Sequence, residues 1–301
     1  MGRILTRAGK TAKAVSAVKS RGGVLQVDNR PIGVFDSGLG GLTVVRQLIS
    51  QLPCEDIVYF GDTGRVPYGT RSAETIEKYA SQDSRFLIGK GVKFIIAACG
   101  TVSSVAPHIL NSLPVPAIGV VEPAAAAAVE ASKNLKIGVV GTAATINSGS
   151  FRQAILRLQP NAEVFEQACP LFVPLVENGW IDQNNEITRL TAEKYLAPLK
   201  AEGIDTLLLG CTHFPLLMPV IRKVLGPDVA LVDSGKSTAA YCARRLTQAG
   251  LLASPDKKGS HSFYVSDRPG DFTRVASMFL GREIEGSISM VDIEQVACAS
   301  C

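Results

Sequence analysis

The sequence predicts an α/β protein built from two similar domains with mainly parallel sheets. Three observations predict it. Short, near-continuous apolar runs alternate with helix-period segments over most of the chain. The alternation begins afresh near Lys136. Each half also carries a strand-like run that ends in a cysteine, "FIIAACGT" at 94–101 and "LLLGCTHF" at 207–214. Apolar runs without a polar alternate are the mark of strands buried on both faces, and helices between them supply the cover.

Taken in order, "PIGVFD" (31–36) reads as a strand that leads into the glycine-rich "SGLGG". "LTVVRQLISQL" (42–52) is a helix closed by Pro53, and "DIVYFGD" (56–62) is a second strand. The spacing predicts a helix over 72–91, with Ser72 as N-cap, acids early and glycine at the end. "VKFIIAAC" (92–99) is a buried strand, 103–113 a helix that tolerates Pro107 near its start, and 115–121 a strand. The second half gives strands at 136–142, 162–169, 205–211 and 229–235, with helices at 148–160, 186–203 and 215–226 between them. Cys99 and Cys211 stand 112 positions apart at corresponding points of this weak repeat.

Composition narrows the function classes. Hydrophobic residues at 46% and charged residues at 19% suit a globular chain, and no apolar run approaches the roughly 18–20 residues of a membrane span. The net charge of +4 is misleading, because Arg3, Arg7, Lys10, Lys13, Lys19 and Arg21 contribute +6 and leave the remainder at −2. That remainder has no broad basic footprint for nucleic acid. The basic stretch, residues 1–30, is expected to be a disordered tail or an extension ahead of a start near Val27; it lacks the apolar core of a signal peptide. Seven cysteines, an odd number in a long chain, argue for a reducing compartment, the cytoplasm, rather than a disulfide framework. Cys298 and Cys301 form a terminal CxxC with no strand or helix pattern to make it a redox motif.

In open parallel sheets, ligands bind beyond the carboxyl ends of the strands. Asp36, Cys99 and Cys211 are all placed there, and each cysteine precedes a helix start, where backbone N–H groups favour a thiolate or an anion. Two thiols facing each other across a cleft could serve as base and acid, and could exchange those roles. That suits removal of a proton from one face of a carbon and return of a proton to the other. His213 and Asp36 are placed to bond to or deprotonate a thiol. Plainer readings stay open at this point: either cysteine as a buried structural thiol, His213 as a structural hydrogen-bonding residue, and Asp36 as a cap. "DSGLGGLT" lacks the GK[ST] of a P-loop and the third glycine of G-x-G-x-x-G. Cys211 and His213 have no companions at zinc spacing, and a Cys-His hydrolase would leave Cys99 unexplained.

Five motifs together, "GVFDSGLGGLTV" (33–44), "YFGDTGRVPYG" (59–69), "AACGTVSS" (97–104), "CPLFVPLVENG" (169–179) and "LLLGCTHFPLL" (207–217), resemble the cofactor-independent glutamate racemases of bacterial wall synthesis. The likeness spans about 31–282. It implies two pseudosymmetric α/β domains with glutamate in the cleft between them: 31–123 plus 233–301 as the first, 124–232 as the second. It implies Cys99 as the base toward D-glutamate and Cys211 as the base toward L-glutamate. Asp36 and His213 would be their auxiliaries and Glu177 a further active-site carboxylate. Asp36, Ser37, Tyr68, Gly69, Gly100, Thr101, Thr212 and His213 would contact the substrate. No cofactor or metal is implied, no nucleic-acid or membrane partner, and a homodimer is one expected assembly. The sequence departs from the usual Cys-Asn-Thr of that family at Gly100. An aspartate racemase of the same fold would share both thiols, whereas a binding protein without chemistry would need neither.

Overall fold

The computed structural model describes residues 27–267, 269–284 and 288–298. The basic segment 1–26 and Cys301 therefore lie outside the described residues. The first half runs β1 (Ile32–Asp36), α1 (Leu42–Gln51), β2 (Ile57–Gly61), a 3₁₀ turn (Tyr68–Thr70), α2 (Ala73–Gly89), β3 (Phe94–Ala97), α3 (Gly100–Val105), α4 (Pro107–Asn111), β4 (Ala117–Gly119) and α5 (Val121–Ala131). The second runs β5 (Lys136–Gly141), α6 (Ala143–Ser148), α7 (Ser150–Leu158), β6 (Glu163–Ala168), α8 (Phe172–Glu177), α9 (Glu186–Ala201), β7 (Thr206–Leu209), a 3₁₀ turn (Phe214–Leu217), α10 (Met218–Leu225) and β8 (Ala230–Asp233). The chain then continues through α11 (Ser234–Ala249), β9 (His261–Val265), α12 (Pro269–Leu280), β10 (Ile288–Met290) and α13 (Ile293–Cys298).

Every strand pairing is parallel, in two sheets ordered β10-β9-β2-β1-β3-β4 and β6-β5-β7-β8. The α/β class with two parallel sheets is as the sequence predicts. The two sheets also share one plan. In each, the first strand is central, the second lies on one side, the third on the other, and the fourth outside the third. Cys99 follows β3 and Cys211 follows β7, so both thiols sit just past the third strand of their sheet. The order in which strands are added reverses between β1 and β3 and between β5 and β7, which opens a crevice at the carboxyl ends of both sheets.

The inner strands β1, β2, β3 and β7 are buried along their length, as with "IGVFD" in β1 and "TLLL" in β7, while the edge strands β4, β6, β8 and β10 are only partly covered. Helix starts follow local capping chemistry: Ser72 accepts from Thr75 N, Asn185 from Thr188 N, and Asp233 from Gly235 N and Lys236 N. Three predicted elements are corrected. The helix expected over 103–113 begins at Gly100 and is cut at Ala106, because Pro107 has no N–H to continue the ladder and instead opens α4. The helix expected over 148–160 divides at Gly149, which takes φ 63°, between α6 and α7. Of the strand expected over 115–121, only Ala117–Gly119 pairs with β3, and Val121 already starts α5.

One hydrophobic cluster joins the sheets. It includes Ile32, Val34, Leu42 and Val45 from the first, and Leu207, Leu209 and Phe214 from the second. Helix α11 packs against both α1 and α5, tying the first lobe to the helix that covers the second sheet. Among the described residues no helix is long and apolar enough to cross a membrane.

Candidate active site

A cavity of about 350 Å³ lies where the carboxyl ends of the two sheets meet. That volume falls in the range of small-ligand sites. Six strand ends build it. Ser37 and Gly38 follow β1, Val66–Thr70 follow β2, and Cys99–Thr101 follow β3. Thr142, Ala143 and Thr145 follow β5, Pro170–Glu177 supply several residues after β6, and Gly210–His213 follow β7. Each lobe thus gives the ends of its first three strands, and the two thiols face one space from opposite lobes.

The lobes touch directly at this point. A Cβ on Gly40 would stand 2.1 Å from Thr212 Oγ1 and 2.6 Å from His213 Nδ1, so only glycine lets the 37–41 loop lie against the Thr212–His213 turn. Thr43 Oγ1 donates to Thr212 O across the same seam (3.1 Å). At Gly100 the contact is with backbone: a Cβ there would meet Gly210 O at 2.1 Å. The absence of a side chain at Gly100 is what permits this contact.

The two thiols have different neighbours. Cys99 Sγ contacts Ser37 Oγ at 3.6 Å. Burial, then the Asp36 charge, push its thiol up to about 12, so Cys99 is protonated at neutral pH. Cys211 Sγ lies 3.8 Å from His213 Nδ1, and His213 Nε2 bonds Glu177 Oε1 at 3.1 Å. Burial works against charge on His213, but its bonds to Cys211 and Glu177 outweigh it and raise the imidazole to about 10. His213 is therefore an imidazolium at neutral pH, oriented by Glu177 on one nitrogen and by the thiol on the other. Aromatic contacts fix this relay. Phe172, on the helix that carries Glu177, meets Phe214 edge-on at 5.1 Å, and Phe279 of α12 meets the His213 ring at 5.1 Å.

Of the residues singled out from sequence, Ser37, Tyr68, Gly69, Cys99, Gly100, Thr101, Glu177, Cys211, Thr212 and His213 line the cavity. Asp36 does not. It is 1% exposed behind the wall, where its Oδ2 accepts from Gly38 N (3.0 Å). Burial raises its carboxyl above the usual range, opposed by the His213 charge and by backbone N–H groups of the glycine loop. The Ser37 hydroxyl, rather than the Asp36 carboxylate, contacts Cys99 Sγ. Sequence reasoning passed over Thr142 and Thr145, whose hydroxyls form a chain with Thr101 (3.1 and 3.0 Å). The internal repeat held the signal, since Thr142 follows β5 as Ser37 follows β1.

Known proteins resemble the chain in sequence and in fold. The profile of the family described as "Asp/Glu/Hydantoin racemase" matches residues 32–242. The chain is 46% identical over 266 residues to a glutamate racemase of Geobacter metallireducens, covering 88% of this chain and 97% of that one. It is 50% identical over 258 residues to that of Syntrophus aciditrophicus, covering 85% and 94%. Among solved structures, the glutamate racemase isoform RacE1 of Bacillus anthracis superposes with a TM-score of 0.83 at 38% identity, covering 88% of this chain and 98% of that one. The Francisella tularensis glutamate racemase, solved in complex with D-glutamate, also gives 0.83, at 39% identity, covering 89% and 100%. Two thiols past equivalent strand ends, and likeness of sequence and fold over nearly the whole described chain, lead to one conclusion: the chain belongs to the Asp/Glu/Hydantoin racemase family.

Proposed function

We propose that the protein is a glutamate racemase that interconverts L- and D-glutamate by proton transfer between Cys99 and Cys211, supplying D-glutamate for peptidoglycan in the cytoplasm. One observation carries the reading: two thiols from equivalent strand ends of opposite lobes open onto a single cavity of about 350 Å³. The named substrate of the close relatives, and the D-glutamate held by the Francisella protein, support the choice of glutamate.

Toward D-glutamate, Cys211 acts as the thiolate base. The imidazolium of His213 is the charge that this thiolate faces. The Cα–H bond breaks as the Cys211 S–H bond forms, and Cys99, held as a thiol, gives its proton to the opposite face of the carbon. Cys99 is left as the thiolate, and the configuration is inverted without net oxidation. The reverse direction exchanges the roles. Ser37, Thr101, Thr142 and Thr212 offer hydroxyls to the carboxylates and the ammonium, and the start of α3 at Gly100 offers backbone N–H groups to a carboxylate. With the cavity walled by both lobes, these dipoles act on the developing carbanion with little competition from water.

The test is α-proton exchange of each enantiomer in D₂O, followed by NMR, with inversion followed by circular dichroism on protein without added cofactor. Exchange with inversion from both enantiomers is expected. Exchange of aspartate but not glutamate would move the substrate assignment, and failure to exchange either would remove the reading.

A further inference from the structure

The motif "YFGDTGRVPYG" contains two charged residues, Asp62 and Arg65, that the proton-transfer scheme does not use. Asp62 is buried and Arg65 half-buried, and they meet a third charged residue, Asp83 of α2. Asp62 and Asp83 are each 0% exposed. The Tyr68 hydroxyl lies between them, bonded to Asp62 Oδ2 and 3.1 Å from Asp83 Oδ2. Arg65 closes the group, with Nε donating to Asp62 Oδ2 (2.6 Å) and Nη2 to Asp83 Oδ1 (3.0 Å). Its guanidinium also stacks 4.0 Å over the Tyr79 ring. From the C-terminal part of the chain, Ser266 Oγ donates to Asp62 Oδ1 (2.7 Å) and Glu294 Oε1 accepts from Arg65 Nη1 (3.2 Å).

The charges settle how the group is wired. Two carboxylates and one guanidinium would leave a buried excess of one negative charge, which is costly. Burial, then the Asp62 charge, push the Asp83 carboxyl well above the ordinary range, which lessens that excess. A phenol has one proton to give. Tyr68 holds its hydroxyl within reach of both carboxyls and bridges them, and Arg65 donates to each from the other side. The other side of Tyr68 lines the cavity, together with Val66, Pro67, Gly69 and Thr70. The segment 66–70 is short of regular structure beyond one 3₁₀ turn, so side-chain anchors such as this one help to fix it.

We propose that Asp83, with Asp62 and Arg65, is a positioning group that holds the 66–70 wall of the cavity through the Tyr68 hydroxyl, and thereby sets substrate affinity. The inference rests on the racemase reading for its kinetic form. The full chain is compared with D83A, D83N, Y68F and the double variant D83A/Y68F. Loss of a buried bond to a charged group predicts a KM for glutamate roughly tenfold higher in D83A and in Y68F, with kcat within about threefold. D83N keeps a donor toward Tyr68 and an acceptor toward Arg65, and is expected to stay near the unaltered protein. The double variant is expected to fall well short of the sum of the two, because both changes break the Tyr68–Asp83 connection that they share. An unchanged KM in D83A, a D83N defect equal to that of D83A, or additive effects would each overturn the proposal. If D83A does not fold, Y68F decides: it retains the ring and loses only the hydroxyl. Amide hydrogen exchange of peptides covering 63–71 supplies a readout independent of turnover, with faster exchange expected in D83A and Y68F but not D83N. An unaltered protein that fails to turn over glutamate would count against the function, while this exchange comparison would still support or overturn the anchor.

Discussion

At the scale of single residues, the thiols, His213 and Gly100 carry separable expectations. Removing a positioned proton-transfer group costs on the order of 10²–10⁴-fold in rate, so Cys99→Ala and Cys211→Ala should each lose racemisation by that much. Substantial turnover by both variants, measured by circular dichroism, would reject the two-thiol scheme. His213 has an imidazole raised from 6.5 to about 10, so the folded state holds an extra proton between those values. Its contribution to stability is complete below about 6.5 and is lost as pH rises through about 10. Urea unfolding from pH 6 to 10.5 should therefore show a steeper alkaline loss in the unaltered protein than in His213→Gln. Gly100 has no room for a side chain, since Gly210 O would lie 2.1 Å from its Cβ. Gly100→Ala should force the lobes apart, lowering kcat/KM about tenfold or more at a stability cost of about 1–3 kcal/mol. A kinetic assay paired with a thermal melt checks both, and wild-type activity in that variant would show that the seam yields easily.

At the scale of elements, a buried ion pair fastens the end of the first sheet that faces away from the cavity. Lys93 Nζ lies 2.6 Å from Glu55 Oε2, with both side chains nearly inaccessible, and it also donates to Asp28 O. Glu55 in turn accepts from Ala253 N, which ties in the return of the chain toward β9. Lys93→Met should leave a buried carboxylate without its partner and cost about 3–5 kcal/mol, with kinetics unchanged; urea denaturation measures it. The strands were legible in the sequence because an apolar run buried on two faces has few rival conformations. The helix breaks at Ala106 and Gly149 were less so, since periodicity continues across them while the backbone does not. The Ala-rich α5 has little polar contrast, so it gives no clear stripe to read. In the site, the two cysteines were visible through their repetition, and Ser37 and Glu177 through the family motifs. Thr142 and Thr145 were hidden because a threonine in a turn looks like any cap. The withdrawal of Asp36 behind the cavity wall depends on side-chain direction, which a sequence does not state.

At the scale of the whole molecule, ligand binding and folding are linked, because the cavity exists only when both lobes are in place. D-glutamate at about 100 times its Kd should stabilise the fold by about 2.7 kcal/mol, seen as a rise of several degrees in the thermal midpoint. No shift with glutamate would mean that the cavity does not take it. The shared plan of the two sheets has a consequence for the energetics of turnover. Mirror-image substrates have equal free energy in water, so the overall equilibrium constant is one and kcat/KM must be the same from either enantiomer. The fold approaches that balance with near-duplicate halves, yet Cys99 has a hydroxyl beside it while Cys211 has an imidazolium and a carboxylate. Under the two-thiol proposal, that difference gives the shared proton one favoured placement in the resting protein. Such a bias is invisible in kcat/KM, and any kinetic trace of it takes the form of matched differences in kcat and KM between the two hands of the substrate.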